Sequence, residues 1–140
     1  MQRLALFALL SLLVVSACKK DDEEDNATRD MLVAKTWLFV AEDTNGTRQD
    51  WTAADCESDD LYDFRADNTL VLDYNDDTAC GGVADEEIIT VAYTLNGNSV
   101  SFTRPGGIPE VYEISLLTDT ELRLYSNDFG DDYTAYFRAQ

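Results

Sequence analysis

From residue 36 to the end of the chain, apolar and polar residues alternate in short runs that are separated by turn residues. A period of two places successive side chains on opposite faces of a strand, so each run predicts a strand with one buried and one solvated face. The predicted strands are 36–42, 61–65, 69–74, 88–95, 99–103, 110–117, 120–126 and 133–139. Asn45-Gly46 and Asn96-Gly97 are strong turn signals. No helical pattern follows Lys35, so the pattern predicts an all-β fold.

Short connections join these runs into three successive antiparallel hairpins, 61–74, 88–103 and 110–126. Such a meander either stacks as two sheets or curls into a barrel. Closure is favoured here because it removes both unpaired sheet edges. We therefore predict an eight-stranded antiparallel up-and-down barrel whose first and last strands pair. A single helical turn at 30–35 is expected to cover one opening.

The alternation also predicts which side chains share the interior. Its aromatic members form the candidate ligand-binding interior: Trp37, Tyr62, Phe64, Tyr74, Tyr93, Phe102, Tyr112 and Phe137. Further apolar side chains are expected to face the same way: Leu72, Ile114, Leu116, Leu122 and Leu124. The opposite face is expected to carry Asp63, Asp73, Glu113, Arg123 and Arg138. An eight-stranded barrel has room for packed side chains or for one small ligand, so both interiors remain open.

The beginning of the chain follows a different pattern. Arg3 precedes an apolar run from Leu4 to Val15 that is too short to span a bilayer and has the length of a signal-peptide core. The run ends in Val15-Ser16-Ala17-Cys18, which resembles a bacterial lipobox. The resemblance implies that residues 1–17 are a signal peptide and that Cys18 is lipidated. An ordinary secretory signal with a chance cysteine is the alternative.

Charge patterning then divides the remaining chain into two parts. Residues 18–29, the cysteine and an acidic stretch without large apolar side chains, are predicted to be an extended tether, and residues 30–140 the barrel domain. Two lysines followed by Asp-Asp-Glu-Glu-Asp resemble the export tag of lipoproteins carried to the surface of the outer membrane. We therefore expect a surface-exposed outer-membrane lipoprotein, with the periplasmic face of that membrane as the alternative.

Net charge and cysteine usage limit the partners and the covalent structure. The net charge of −18 argues against nucleic acid as a partner, because the phosphate backbone would be repelled. The membrane is expected as a partner through the lipid alone, and the barrel is expected to be a monomer. Once Cys18 is lipidated, Cys56 and Cys80 are an even pair in an exported chain, which predicts a disulfide between them.

The residues offer little catalytic or metal-binding chemistry. The chain contains no histidine, so neither a Ser-His-Asp arrangement nor an imidazole base can form. We expect no enzymatic activity and no cofactor. Asp73, Asn75 and Asp77 have the spacing of a calcium loop, but the positions that need glycine and a bidentate glutamate hold other residues. The sequence therefore predicts a solvated acidic loop, with a loose calcium site as the minority interpretation.

Several short motifs occur in a characteristic order along the chain. They are Lys35-Thr36-Trp37, Asp55-Cys56-Glu57, the run Tyr62-Asp63-Phe64-Arg65-Ala66-Asp67-Asn68-Thr69, Cys80, and Leu117-Thr118-Asp119-Thr120-Glu121-Leu122-Arg123-Leu124. In this order they resemble the lipocalin-like lipoproteins of Gram-negative bacteria. Two departures are the missing glycine before Trp37 and Tyr93 in place of a mid-chain tryptophan.

The resemblance implies a small lipidated barrel that acts by binding, without catalytic residues. A small apolar ligand in the barrel is the expected function. The alternative is an accessory envelope module with a filled barrel, whose loops dock a protein or a glycan.

Overall fold

The structure is a computed structural model that describes residues 19–52, 55–75, 86–127 and 130–140. For residues 19–25, 56–57, 75 and 86–87 only the backbone is described. The predicted signal peptide, the lipidation of Cys18 and the position of Cys80 lie outside the described residues.

One α-helix and nine strands are described. The helix, α1, spans Lys19–Val33, and a 3-10 helix spans Cys56–Asp59. The strands are β1 Thr36–Thr44, β2 Thr47–Asp50, β3 Leu61–Phe64, β4 Thr69–Asn75, β5 Glu86–Asn96, β6 Ser99–Phe102, β7 Glu110–Leu117, β8 Glu121–Ser126 and β9 Tyr133–Ala139. The three predicted hairpins correspond to β3–β4, β5–β6 and β7–β8.

The strands form a closed barrel. Their order in the sheet is β2-β1-β3-β4-β5-β6-β7-β8-β9, every neighbouring pair is antiparallel, and β1 also pairs with β9. The eight strands other than β2 therefore close into the predicted up-and-down barrel. In the pairing of β1 with β9, which closes the barrel, Phe39 lies opposite Phe137. This confirms the predicted pairing of the first and last strands.

The strand β2 was not predicted, because its sequence, Thr-Arg-Gln-Asp, has no apolar residue to show an alternation. It pairs only with the second half of β1, from Ala41 to Thr44. The connecting turn has positive φ at both central residues, 54° at Asn45 and 80° at Gly46. These are the angles of a type I′ turn, for which Asn-Gly is the favoured dipeptide. The Asn-Gly signal thus marked a hairpin whose second strand is fully exposed.

Two irregularities change which residues face inward. In β7 the pairing with β8 shifts between Ile114 and Leu116, so that Leu117 rather than Leu116 lies opposite the buried Leu122. The prediction that Leu116 faces the interior is therefore wrong. A bulge adds one residue to one strand and reverses the alternation beyond it. A similar shift in β1 lies at Val40, between Phe39 and Ala41.

The helix α1 corrects the prediction of an extended tether followed by a single helical turn. Residues 19–33 are helical throughout. Five acidic residues follow one another at positions 21–25, and acidic residues near the beginning of a helix favour helix formation because the macrodipole is positive there. The segment also contains neither glycine nor proline. Within the described part of the chain, no helix has the length and the apolar character needed to cross a membrane.

The last turn of α1 closes one end of the barrel, which we call the closed end. Leu32 is fully buried, and the indole Nε1 of Trp37 donates a hydrogen bond to the carbonyl oxygen of Leu32 at 2.9 Å. Arg29 donates to the carbonyl oxygen of Ala66, and Lys35 to that of Asp119. Both acceptors lie in the short turns β3–β4 and β7–β8. The helix therefore seals the end at which these turns meet.

The predicted interior is confirmed apart from Leu116, and Tyr62, Tyr74 and Tyr112 pack against it while remaining partly exposed. Phe64 and Tyr93 pack edge to face near the closed end, with ring centroids 5.3 Å apart. The interior residues named for the barrel are buried: Trp37, Phe64, Leu72, Tyr93, Phe102, Ile114, Leu122, Leu124 and Phe137.

The predicted outer face is confirmed in part. Glu113 and Arg138 are exposed, whereas Asp63, Asp73 and Arg123 are half-buried. Asp63 and Arg123 are partly covered because each forms an ion pair with a neighbour on the same face of the sheet. Asp63 pairs with Arg65, and Arg123 pairs with Glu121. The Nε of Arg65 lies 2.8 Å from Asp63, and the Nε of Arg123 lies 2.7 Å from Glu121.

Candidate functional site

A cavity of about 330 Å³ lies inside the barrel at the end opposite α1, which we call the open end. Its lining consists of Tyr62, Phe102, Arg104, Tyr112, Leu124, Ser126, Tyr133, Ala135 and Phe137. These residues come from β3, the end of β6, the beginning of β7, the end of β8 and the beginning of β9. The predicted barrel therefore contains a cavity and is filled only toward its closed end.

The walls of the cavity are aromatic and aliphatic. Phe102 and Tyr112 stack with ring centroids 5.7 Å apart and an interplanar angle of 21°. Tyr62 meets Phe137 edge to face at 4.8 Å. Along each strand the apolar members lie deeper than the polar ones, with Phe102 below Arg104, Leu124 below Ser126 and Phe137 below Tyr133. The cavity thus has an apolar floor and a polar rim.

Arg104 is the cation at this rim. Its Nη2 donates to the hydroxyl oxygen of Tyr62 at 3.1 Å, and its Nη1 lies 3.3 Å from Oε1 of Glu110. Burial lowers the pKa of Arg104, but the nearby oxygens of Tyr62, Tyr74 and Glu110 raise it further than burial lowers it. The guanidinium is therefore charged at every physiological pH.

The Nε of Arg104 is buried and has no hydrogen-bond partner among the described residues. Buried donors in native proteins are almost always paired with protein or with an ordered molecule. The side chain as a whole remains 37% exposed. The rim of the cavity therefore holds a charged group with one unused donor.

Tyrosine hydroxyls surround this arginine. Tyr74 lies close to both Tyr62 and Arg104. Tyr112 donates to Oε2 of Glu110 at 2.8 Å. Burial raises the pKa of Tyr62 well above its usual value, and burial together with the hydrogen bond to Glu110 raises the pKa of Tyr112. These phenols therefore stay protonated at neutral pH and act as hydrogen-bonding groups rather than as bases.

The second carboxylate at the rim is a consequence of the bulge in β1. Beyond Val40, Glu42 pairs with Ala135, whose side chain lines the cavity, so the two share the inner face. Glu42 lies close to Tyr133. Burial raises the pKa of Tyr133, and the charge of Glu42 raises it further. The rim thus contains one guanidinium, two carboxylates and at least three phenols.

The structure divides the eight aromatic candidates of the sequence into two groups. Tyr62, Phe102, Tyr112 and Phe137 line the cavity, and Tyr74 adjoins it through Tyr62. Trp37, Phe64 and Tyr93 lie at the closed end. There the hydroxyl of Tyr93 donates to the carbonyl oxygen of Arg65 at 3.0 Å, and these three rings serve packing.

Arg104, Glu110 and Glu42 were not among the candidates. The period of two does place Arg104 on the inner face, two residues after Phe102, and Glu110 on the inner face, two residues before Tyr112. The turn signal Arg-Pro-Gly-Gly obscured this relation for Arg104. Glu42 carried no such signal, because the bulge at Val40 moved it to the inner face.

The remaining predicted sites are described only in part. The side chain of Cys56 and all of Cys80 lie outside the described residues, as do the side chain of Asn75 and all of Asp77. Among the residues whose side chains are described, no group of three or more histidine, cysteine, aspartate or glutamate side chains could hold a metal ion. The calcium and disulfide hypotheses therefore stay predictions.

Comparison with known proteins agrees with this architecture. Residues 33–124 match the family model of the lipocalin-like domain. The fold is similar to that of a lipocalin-like protein from Bacteroides uniformis ATCC 8492, with a TM-score of 0.54 and 17% sequence identity over 76% of this chain and 97% of that one. At this identity the likeness is one of fold. Among curated proteins, none matches the chain.

Proposed function

The chain belongs to the lipocalin-like domain family, and from that membership and the cavity at the open end we propose that it binds a small, largely apolar ligand without catalysing a reaction. The observation that carries the proposal is the cavity itself. Its deep walls are apolar, and a few polar groups are concentrated at the rim. Ligand sites in proteins commonly combine a mostly apolar lining with a small number of orienting polar groups.

The size of the cavity limits the ligand. A volume of about 330 Å³ corresponds to about ten water molecules at roughly 30 Å³ each. It lies at the lower end of the usual range for small-molecule sites. A ligand enclosed in it would have about ten non-hydrogen atoms, and a longer one would extend past Arg104 and Tyr133 into solvent.

Docking of a protein or glycan is the second candidate function. It is supported by exposed apolar side chains outside the barrel, since Ile88 and Ile108 are each 60% exposed and Val111 is 49% exposed. These positions belong to β5, β7 and the loop before β7. The cavity nevertheless favours ligand binding, because a protein that only docks a partner through its loops needs no space between its interior side chains.

We propose further that Cys18 is lipidated and anchors the protein to the outer membrane, exposed at the cell surface. The support is the lipobox-like sequence and the charge order that follows it. Because α1 begins at Lys19, the lipid would be joined to the barrel by a helix of about 22 Å, at about 1.5 Å per residue, instead of a flexible tether.

The test of ligand binding is native mass spectrometry of the mature protein isolated from its own host, with Ala135→Leu as the cavity-filling variant. Wild type should retain a small molecule that this variant loses, because Ala135 lines the cavity. Ala92→Leu adds the same atoms on the exposed outer face of β5 and should retain the molecule. A wild-type protein that carries no molecule and binds none from a library of small amphipathic compounds would overturn the proposal.

A further inference from the structure

The dipeptide Asn-Gly occurs twice in the chain, once in the β1–β2 turn and once in the β5–β6 turn. Asn45 and Gly46 are the two central residues of the first turn. In the second turn Asn96 still pairs with Ser99, so the turn begins at Gly97, whose φ of 58° is typical of glycine at the first central position of a type II′ turn. Both asparagines are exposed, so accessibility does not distinguish them.

Asn-Gly is a dipeptide that can deamidate spontaneously, because glycine has no side chain to hinder the approach of its nitrogen to the asparagine carboxamide. The glycine main-chain nitrogen attacks Cγ of the asparagine, a C–N bond forms, and the Cγ–Nδ2 bond breaks. The proton of the peptide nitrogen leaves with the amide group as ammonia. Water then opens the cyclic imide at either carbonyl, which gives aspartate or isoaspartate. The reaction therefore needs a carboxamide that can rotate and a glycine N–H that can lose its proton.

Hydrogen bonds restrict both groups in the β1–β2 turn. The Nδ2 of Asn45 donates to Oδ1 of Asp131 at 2.9 Å, and the main-chain N–H of Asp132 donates to Oδ1 of Asn45 at 3.0 Å. The main-chain N–H of Gly46 donates to Oδ1 of Asp43 at 2.7 Å. All three hydrogen bonds oppose the movement that would bring the nitrogen of Gly46 to the carboxamide of Asn45.

The β5–β6 turn has no such restraint. Among the residues whose side chains are described, none hydrogen-bonds to the carboxamide of Asn96, and none accepts from the main-chain N–H of Gly97. We propose that Asn96 is a site of spontaneous deamidation in the folded protein and that the fold protects Asn45 from the same reaction. The products add a negative charge to the β5–β6 turn, and isoaspartate also lengthens the main chain there by one carbon atom.

The experiment follows both sites in the same sample. The protein is kept at mildly alkaline pH in native buffer and in urea and is then digested, and each Asn-Gly peptide is quantified by mass spectrometry. An isoaspartate methyltransferase assay identifies the isoaspartate product. In urea the two sites should react at similar rates, because they share the dipeptide. In native buffer Asn96 should still react, and Asn45 should react more slowly by about tenfold or more, because its hydrogen bonds have to break first.

Variants test the cause of the protection. Asp43→Ala and Asp131→Ala each remove one acceptor from the β1–β2 turn, so each should accelerate deamidation of Asn45 by about two- to tenfold, the effect expected of one hydrogen bond. Neither should change the rate at Asn96. Asp50→Ala is the matched control, because it removes a carboxylate of β2 that pairs with an arginine instead. It should leave both rates unchanged.

The comparison of the two sites in wild type decides the proposal without any variant. Equal rates at Asn45 and Asn96 in native buffer would show that the fold protects neither turn selectively. Product at Asn96 in urea but not in native buffer would overturn the proposed site. Asn96→Gln should remove the signal of the β5–β6 peptide, and isoaspartate that persists in this variant would have to arise elsewhere in the chain.

Discussion

The indole nitrogen of Trp37 donates its hydrogen bond to the carbonyl oxygen of Leu32, so the first strand of the barrel holds the last turn of the helix that precedes it. This oxygen belongs to the final turn of α1, where carbonyl groups have no intrahelical partner. Both residues are fully buried, so water cannot replace the bond. The contact therefore satisfies the end of the helix and fixes it against the closed end of the barrel.

Trp37→Phe should lower the free energy of unfolding by about 1–3 kcal/mol through the unpaired carbonyl oxygen alone, with a further loss from the smaller ring. Trp51→Phe is the matched control, because the Nε1 of Trp51 has no partner among the described residues and loses no hydrogen bond. Urea denaturation measures both values. A larger loss in Trp51→Phe would contradict the role assigned to the Trp37–Leu32 bond.

Phe64→Ala should destabilise the barrel by about 3–5 kcal/mol, because the ring is fully buried and packs against Tyr93. Such a loss is a large share of the stability of a small domain. Glu113→Ala, on the exposed face of β7, should change the stability by no more than about 0.5 kcal/mol. The denaturant midpoints of the two variants, each compared with that of wild type, measure these two changes in stability. Similar midpoints would mean that Phe64 contributes little to the core.

Stability should fall as the pH rises above about 10. Burial raises the pKa values of Tyr62, Tyr112 and Tyr133 above the ordinary value of 10.0. Between the unfolded and the folded pKa, the folded state therefore binds more protons than the unfolded state. The free energy of unfolding then decreases with pH, by up to about 1.4 kcal/mol per pH unit for each such tyrosine. This stabilisation is fully present below pH 10.

Urea denaturation between pH 8 and pH 11 measures this dependence, with phenolate absorbance as the readout of ionisation. Tyr112→Phe should make the slope above pH 10 shallower, because one of the shifted groups has been removed. Equal slopes in wild type and Tyr112→Phe would show that Tyr112 does not titrate differently in the two states.

Cys18→Ala should move the protein from the membrane fraction to the soluble fraction of host cells. Buried acyl methylene groups each contribute about 0.8 kcal/mol to membrane binding. A single cysteine that carries two or three acyl chains therefore holds the protein firmly on the membrane. Radiolabelled palmitate incorporation and cell fractionation give independent measurements. A variant that remains in the membrane fraction would show that the anchor lies elsewhere.

Cys56 and Cys80 should form a disulfide in the exported protein. Cys56 begins the 3-10 helix before β3, and Cys80 follows β4, whose last residues pair with the beginning of β3. In the sequence, the two cysteines therefore lie on either side of this hairpin. A bridge over about 25 residues should contribute roughly 3 kcal/mol. Thiol alkylation followed by intact-mass measurement, with and without a reductant, detects it, and two alkylated thiols in the unreduced protein would rule it out.

Much of the barrel could be predicted because its strands carry one buried and one solvated face. Phe64, Leu72 and Phe102 have polar neighbours on both sides, so the alternation alone assigns them to the interior. Closure followed from strand number and short connections. β2 could not be predicted, because an exposed edge strand without apolar residues lacks the pattern that reveals the others.

The bulges show why sequence alone misplaced some side chains. One added residue reverses the alternation downstream, and nothing in Ser115 or Val40 marks it. Leu116 was therefore assigned to the interior in place of Leu117, and Glu42 was overlooked at the cavity. The cavity itself could not be predicted, because its volume depends on how completely the large side chains fill the interior of the barrel. The helicity of residues 19–29 was missed because low hydrophobicity was interpreted as lack of structure.

The shift at Val40 has a consequence for the length of β1. Phe39 pairs with Phe137 and Ala41 with Tyr136, so Val40 is one residue more than the ladder with β9 requires. A chain without this residue would pair continuously and would still direct Phe39 and Glu42 toward the interior. Related sequences that are one residue shorter in this strand should therefore be aligned with a gap at Val40, because sliding the strand would exchange its two faces.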